Sequence, residues 1–120
     1  MNTRTELLDS LLSFDQPLRQ ITSTLATFGW DSDRPLVTLT RQHIATVLTR
    51  YLDSELSKVD VEDWANAIEG REDISYENGV VDELSEVIYQ LANPRLTMPM
   101  SATFARELLR QLGEGAIAPF

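Results

Sequence analysis

Apolar residues recur at three- and four-residue steps in about six separate stretches of this chain, and glycine, proline or a polar cluster closes each one. That period puts apolar side chains on one face of a helix, and little two-residue alternation is left for a sheet. The expectation is an all-α protein, a single-domain bundle of about six short helices over residues 1–120, with 113–120 as a C-terminal tail.

The stretches can be placed one by one. Leu7, Leu8, Leu11, Leu12 and Phe14 define the first face. Asp15-Gln16-Pro17 interrupts it, and Asp15 is the expected cap of a second helix with Leu18, Ile21, Leu25 and Phe28 inward and Gly29 as its stop. Trp30 to Pro35 reads as a loop. Leu36-Val37-Thr38-Leu39 could be a strand, but no other segment reads as its partner, so it is expected to lie extended against the core.

Thr40 is the expected cap of a helix burying Ile44, Val47, Leu48, Tyr51 and Leu52. Asp60-Val61-Glu62-Asp63 resembles a capping box for the next, with Ser54 to Lys58 as connection and Val61, Trp64, Ala65 and Ile68 inward to Gly70. Asn78 can cap a fifth helix with Val80, Val81, Leu84, Val87, Ile88 and Leu91 inward, stopped by Pro94. Ser101 caps the last, with Phe104, Ala105, Leu108, Leu109 and Leu112 inward and Gly113 and Gly115 as its end.

Length and composition bound the class. A 120-residue chain can bury roughly two-thirds of its unfolded surface and form one core without staples. The chain has no cysteine, which removes disulfides, thiol nucleophiles and thiolate zinc sites. The first residues lack the apolar core of a secretory signal, and no apolar run approaches the ~18 residues of a membrane span. A cytoplasmic protein with no membrane partner is expected.

Charge is concentrated in one place. Between Asp53 and Glu86 stand twelve acids against Lys58 and Arg71, which leaves the segment at −10. The rest of the chain has seven acids and eight bases, so the net −9 is a local feature. Such a field repels nucleic acid and attracts basic partners. Helical spacing turns Glu62, Asn66 and Glu69 outward on one helix and Asp82, Glu83 and Glu86 outward on another. Part of the acid content has local work at helix N-termini. The remainder is either a solubilising face or a rim that steers a partner. Tyr76 and Ile74 sit inside the block, and Tyr76 serves either as an interface anchor or as packing for Trp64.

Catalytic signatures are sparse. His43 is the one histidine and lies early in an amphipathic helix, where a structural role is expected. The many acids supply carboxylate pairs, but none falls in a motif. Asp31-Ser32-Asp33 opens like a calcium loop, then Pro35 and Leu36 occupy the third-ligand and turn-glycine places and Gln42 replaces the bidentate glutamate. Gly113-Glu114-Gly115 has no following lysine and is no phosphate cradle. Neither a catalytic role, a cofactor nor a metal is expected.

Several segments together resemble a known family. They are Leu39-Thr40, Arg50 to Ser57, Val61 to Asn66, Arg71 to Ile74, and Leu91 to Leu96. Over about residues 36 to 112 the chain resembles the small helical immunity-type proteins of bacterial contact-dependent inhibition and related polymorphic toxin systems. The resemblance implies a cytoplasmic inhibitor that binds one cognate toxin domain, often a basic nuclease. It carries over no catalytic residues and no transferable contact site. The charge pattern alone selects Glu69, Glu72, Asp73, Tyr76, Glu77, Asp82 and Glu83 as partner-binding residues, on a monomer or weak dimer. Charge reversal at Glu72, Asp73 and Glu77 is expected to slow association and weaken its salt dependence, with folding little changed. The alternative is an acidic adaptor or regulatory module with a different basic target.

Overall fold

Three helices begin on a hydroxyl that accepts the backbone N–H three residues on, while the third residue's side chain returns to the cap. The computed structural model describes residues 3–28 and 34–116. In it Thr3 and Glu6 open α1 (Arg4–Ser13), Thr40 and His43 open α3 (Arg41–Leu52), and Ser57 and Asp60 open α4 (Lys58–Ile68). Between them lie α2 (Leu18–Leu25), a short 3-10 turn (Ala26–Phe28) and strand β1 (Val37–Leu39). Strand β2 (Ile74–Tyr76), α5 (Val81–Ala92) and α6 (Ala102–Ala116) complete the chain. The readings of Gly29, Trp30 to Asp33 and residues 117–120 lie outside the described residues.

The mostly helical fold with six α-helices matches the periodicity. Several boundaries differ. Helix α4 starts on Ser57, whose hydroxyl takes the Asp60 N–H at 3.1 Å while Asp60 accepts the Ser57 N–H at 2.8 Å. Asp60 is therefore the third residue of the box rather than its cap. Pro17 and Val80 precede α2 and α5 without any side-chain cap, so Asp15 and Asn78 do not play the expected role. Ser101 does cap α6, accepting the Phe104 N–H at 3.1 Å. That helix runs through Gly113 to Ala116, so residues 113–116 are helix and not tail.

The larger correction is a sheet. β1 and β2 pair in parallel, with Val37 opposite Ile74, Thr38 opposite Ser75 and Leu39 opposite Tyr76. The α3–α4 pair forms the long crossover that parallel strands require. Leu39 and Ile74 are buried, while Thr38 and Ser75 join hydroxyls at 2.9 Å on the outer face. Three residues per strand give too little alternation to reveal β2 among its acids. A two-stranded sheet needs a covering layer. Helix α1 packs on β1 and α5 on β2.

The core follows the apolar faces. Helix α4 packs on α5, α3 on α6 and α1 on α2, and α1 also touches α3 and α4. Leu7, Leu8, Leu11, Leu12, Ile44, Val47, Leu48, Trp64, Ile68, Leu84 and Ile88 are all buried. Trp64 is fully enclosed, and its indole N–H donates to the Leu11 carbonyl at 2.7 Å. Two residues expected inward face solvent instead, Phe28 and Val81. Val81 sits in the first turn of α5, between buried Val80 and Leu84 but turned away from the face they share.

Candidate interaction surface

The acidic segment divides into acids the fold consumes and acids it leaves free. Helix α4 ends at Glu69, and Gly70 adopts φ +82°, the left-handed conformation that turns the chain toward β2. The carboxylate of Glu69 is partly buried and accepts long hydrogen bonds of 3.4 and 3.5 Å from the Asn93 side chain. Its charge reaches Tyr76. Burial first, and Glu69 second, raise the Tyr76 hydroxyl above its ordinary pKa.

Asp73 is the clearest departure from expectation. It is fully buried. Arg71 grips it with Nε at 2.8 Å and Nη2 at 2.9 Å, and Arg4 of α1 approaches with Nε at 3.1 Å. Burial pushes the Asp73 carboxyl up, but these two arginines outweigh it and hold the pKa below 3.8. Asp73 is thus a structural counter-ion and cannot touch a partner.

Glu77 is similarly committed. Its carboxylate accepts the Arg41 N–H at 3.0 Å and the guanidinium at 2.6 and 3.3 Å. The guanidinium and then the backbone bond lower its pKa. Glu77 thereby ties the end of β2 to the start of α3. Tyr76 is half-buried at the end of β2 with its backbone in register with Leu39, which favours packing over anchoring.

Glu72, Asp82, Glu83 and Glu86 remain solvent-exposed. Asp82 and Glu83 lie in the first turn of α5, where the helix dipole favours negative charge and no side chain caps the end. Asp82, Glu86 and Tyr89 are spaced as i, i+4 and i+7, so they form one stripe. Tyr89 is 41% exposed. It lies outside the Asp53 to Glu86 acidic run that contains Tyr76. Its spacing from Leu84, Val87, Ile88 and Leu91 already puts it off the buried face. Four of the seven anticipated residues thus stay at the surface or rim (Glu69, Glu72, Asp82, Glu83), while Asp73, Tyr76 and Glu77 serve the fold.

Other chemistry finds little support on this surface. A cavity of about 730 Å³ between α2 and α4 is an open cleft that includes Asp60 and Asp63. Asp60 is engaged in its capping box. Among the described residues Glu6, Asp73, Glu77 and Glu107 have lowered pKa values, opposite to a general acid. Among the described residues no three acids or histidines gather as a metal site, and no helix is long and apolar enough to cross a membrane. His43 is a capping residue: its Nδ1 accepts the Thr40 N–H at 3.0 Å.

No protein-family model matches the chain, and neither a curated protein nor a solved structure matches it.

Proposed function

We propose that this protein is an immunity protein, a cytoplasmic inhibitor that binds and neutralises a basic toxin domain, such as a nuclease, through the outward face of α5. The observation that carries this reading is the division of the acids. Arg4, Arg71 and Arg41 neutralise Asp73 and Glu77 internally. Asp82, Glu83 and Glu86 are left facing solvent on one helix together with exposed Tyr89, and Glu72 before β2 is exposed as well. Like charges so close oppose folding, and a basic partner would relieve that repulsion. Exposed Tyr89 supplies the aromatic contact that charge alone lacks. The resemblance in the sequence supplies the toxin as partner.

The test is co-expression with the toxin domain encoded immediately upstream. Restored growth and a stable complex on a sizing column are expected. Unabated killing with no complex would overturn the reading.

A further inference from the structure

A second feature lies beside the acidic stripe. Val61, Leu91, Met100 and Phe104 line an apolar groove of about 160 Å³, with Val59 and Met98 at its mouth. Val59 is 55% exposed and Met98 52%. The loop wall is held in place: Thr97 Oγ1 donates to the Gln90 carbonyl at 3.0 Å and to the Asn93 carbonyl at 2.9 Å. A preformed apolar recess of this size takes about one large side chain without prior rearrangement. Two methionines in its wall allow it to adapt to leucine, methionine or phenylalanine.

Charge decides between occupants. Gln90 belongs to the groove wall and lies at i+4 from Glu86 and i+7 from Glu83, so the acidic stripe of α5 runs into it. In the lining itself Glu62 is balanced by Lys58, so the negative excess comes from the neighbouring acids of α5. A second copy of this chain, at net −9, would bring acid onto acid. We propose that the groove receives one large apolar side chain from a lysine- or arginine-rich segment of a partner protein. The inference rests on the basic-partner reading and deepens it: the stripe steers, and the groove anchors.

The test uses a short lysine-rich peptide carrying one leucine, and the same peptide with serine in its place. Methionine methyl resonances report the groove through Met98 and Met100. Saturable shifts of both methyls are expected with the leucine peptide, and at least tenfold weaker binding of the serine peptide. Met98→Glu should also weaken the leucine peptide at least tenfold, read at Met100, although it adds a negative charge. Its exposed position leaves folding intact, which circular dichroism checks. Equal binding of the two peptides would overturn the groove while leaving the acidic face in place. Methyls unmoved by either peptide would overturn it too. So would methyl shifts that follow protein concentration alone, together with a doubled mass, because a second copy would then fill the recess.

Discussion

Arg4 in the first turn of α1 and Asp73, 69 residues later, are joined by a hydrogen bond of 3.1 Å, and Asp73 is fully buried. The contact ties the N-terminal helix to the residue that precedes β2. Arg71 completes the site with a side chain only 6% exposed. Two cations thus converge on one enclosed carboxylate.

Asp73→Asn keeps the shape and removes the charge. Removing the charge from one side of a buried ion pair is strongly destabilising, so the expected loss is about 3–5 kcal/mol, measured by urea unfolding. The pH dependence follows from the lowered pKa. Asp73 stabilises the fold above 3.8, and that contribution is lost as pH falls through the still lower folded value. The variant should therefore show a flatter stability curve below about pH 4. An unchanged unfolding midpoint would remove the counter-ion role.

His43 gives a second pH effect at milder acidity. Burial lowers its pKa below 6.5, and Asp9 opposes this only in part. The unfolded chain then binds the proton more readily than the folded one. The neutral ring's contribution is complete above 6.5 and is lost as pH falls through the folded value. Protonation of Nδ1 would also remove the acceptor for the Thr40 N–H. Thermal midpoints of the protein should fall between neutrality and mild acid, and His43→Gln should flatten that slope. An equal slope in both proteins would assign the effect to other groups.

Trp64→Phe tests the centre of the core. It deletes the indole bond to the Leu11 carbonyl and leaves a void where the side chain was fully enclosed. The Phe14 N–H, at 3.2 Å, still serves that carbonyl, which limits the penalty. A loss of about 1–3 kcal/mol is expected from urea unfolding. A loss under about 0.5 kcal/mol, the size of an ordinary surface change, would contradict the packing.

The acidic face calls for a different set of reversals from the one the sequence suggested. Asp73 and Glu77 hold the fold together, so reversing them would confuse binding with unfolding. Glu72→Lys, Glu83→Lys and Glu86→Lys act on exposed positions. Association with the proposed toxin partner should slow by about tenfold or more at low salt, with a shallower salt dependence. Each change should alter stability by about 1 kcal/mol or less. Stopped-flow mixing checks the rate. An unaltered rate and salt dependence would move the interface elsewhere.

How much of this was legible varies with the range of the interaction. The α3 cap at Thr40, the α6 cap at Ser101 and the inward set of α4 could be read directly, because capping and helical periodicity act over three or four residues. The α4 cap was misplaced because Ser57-x-x-Asp60 and Asp60-x-x-Asp63 both satisfy the spacing. Tyr89 is legible from its position off the apolar face of α5.

The sequence by itself determined the helical segments, the apolar faces that drive their packing, and the net charge between Asp53 and Glu86. Tertiary structure decided which of those charges reach solvent. Arg4 stands 69 residues from Asp73 and Arg41 stands 36 from Glu77, and only folding brings each base to its acid. The pairing of Val37–Leu39 with Ile74–Tyr76 has the same origin, since three-residue strands gain their stability from a partner and a covering layer. Local propensity is encoded within a helical turn, whereas neutralisation and strand pairing depend on which distant segments the core draws together.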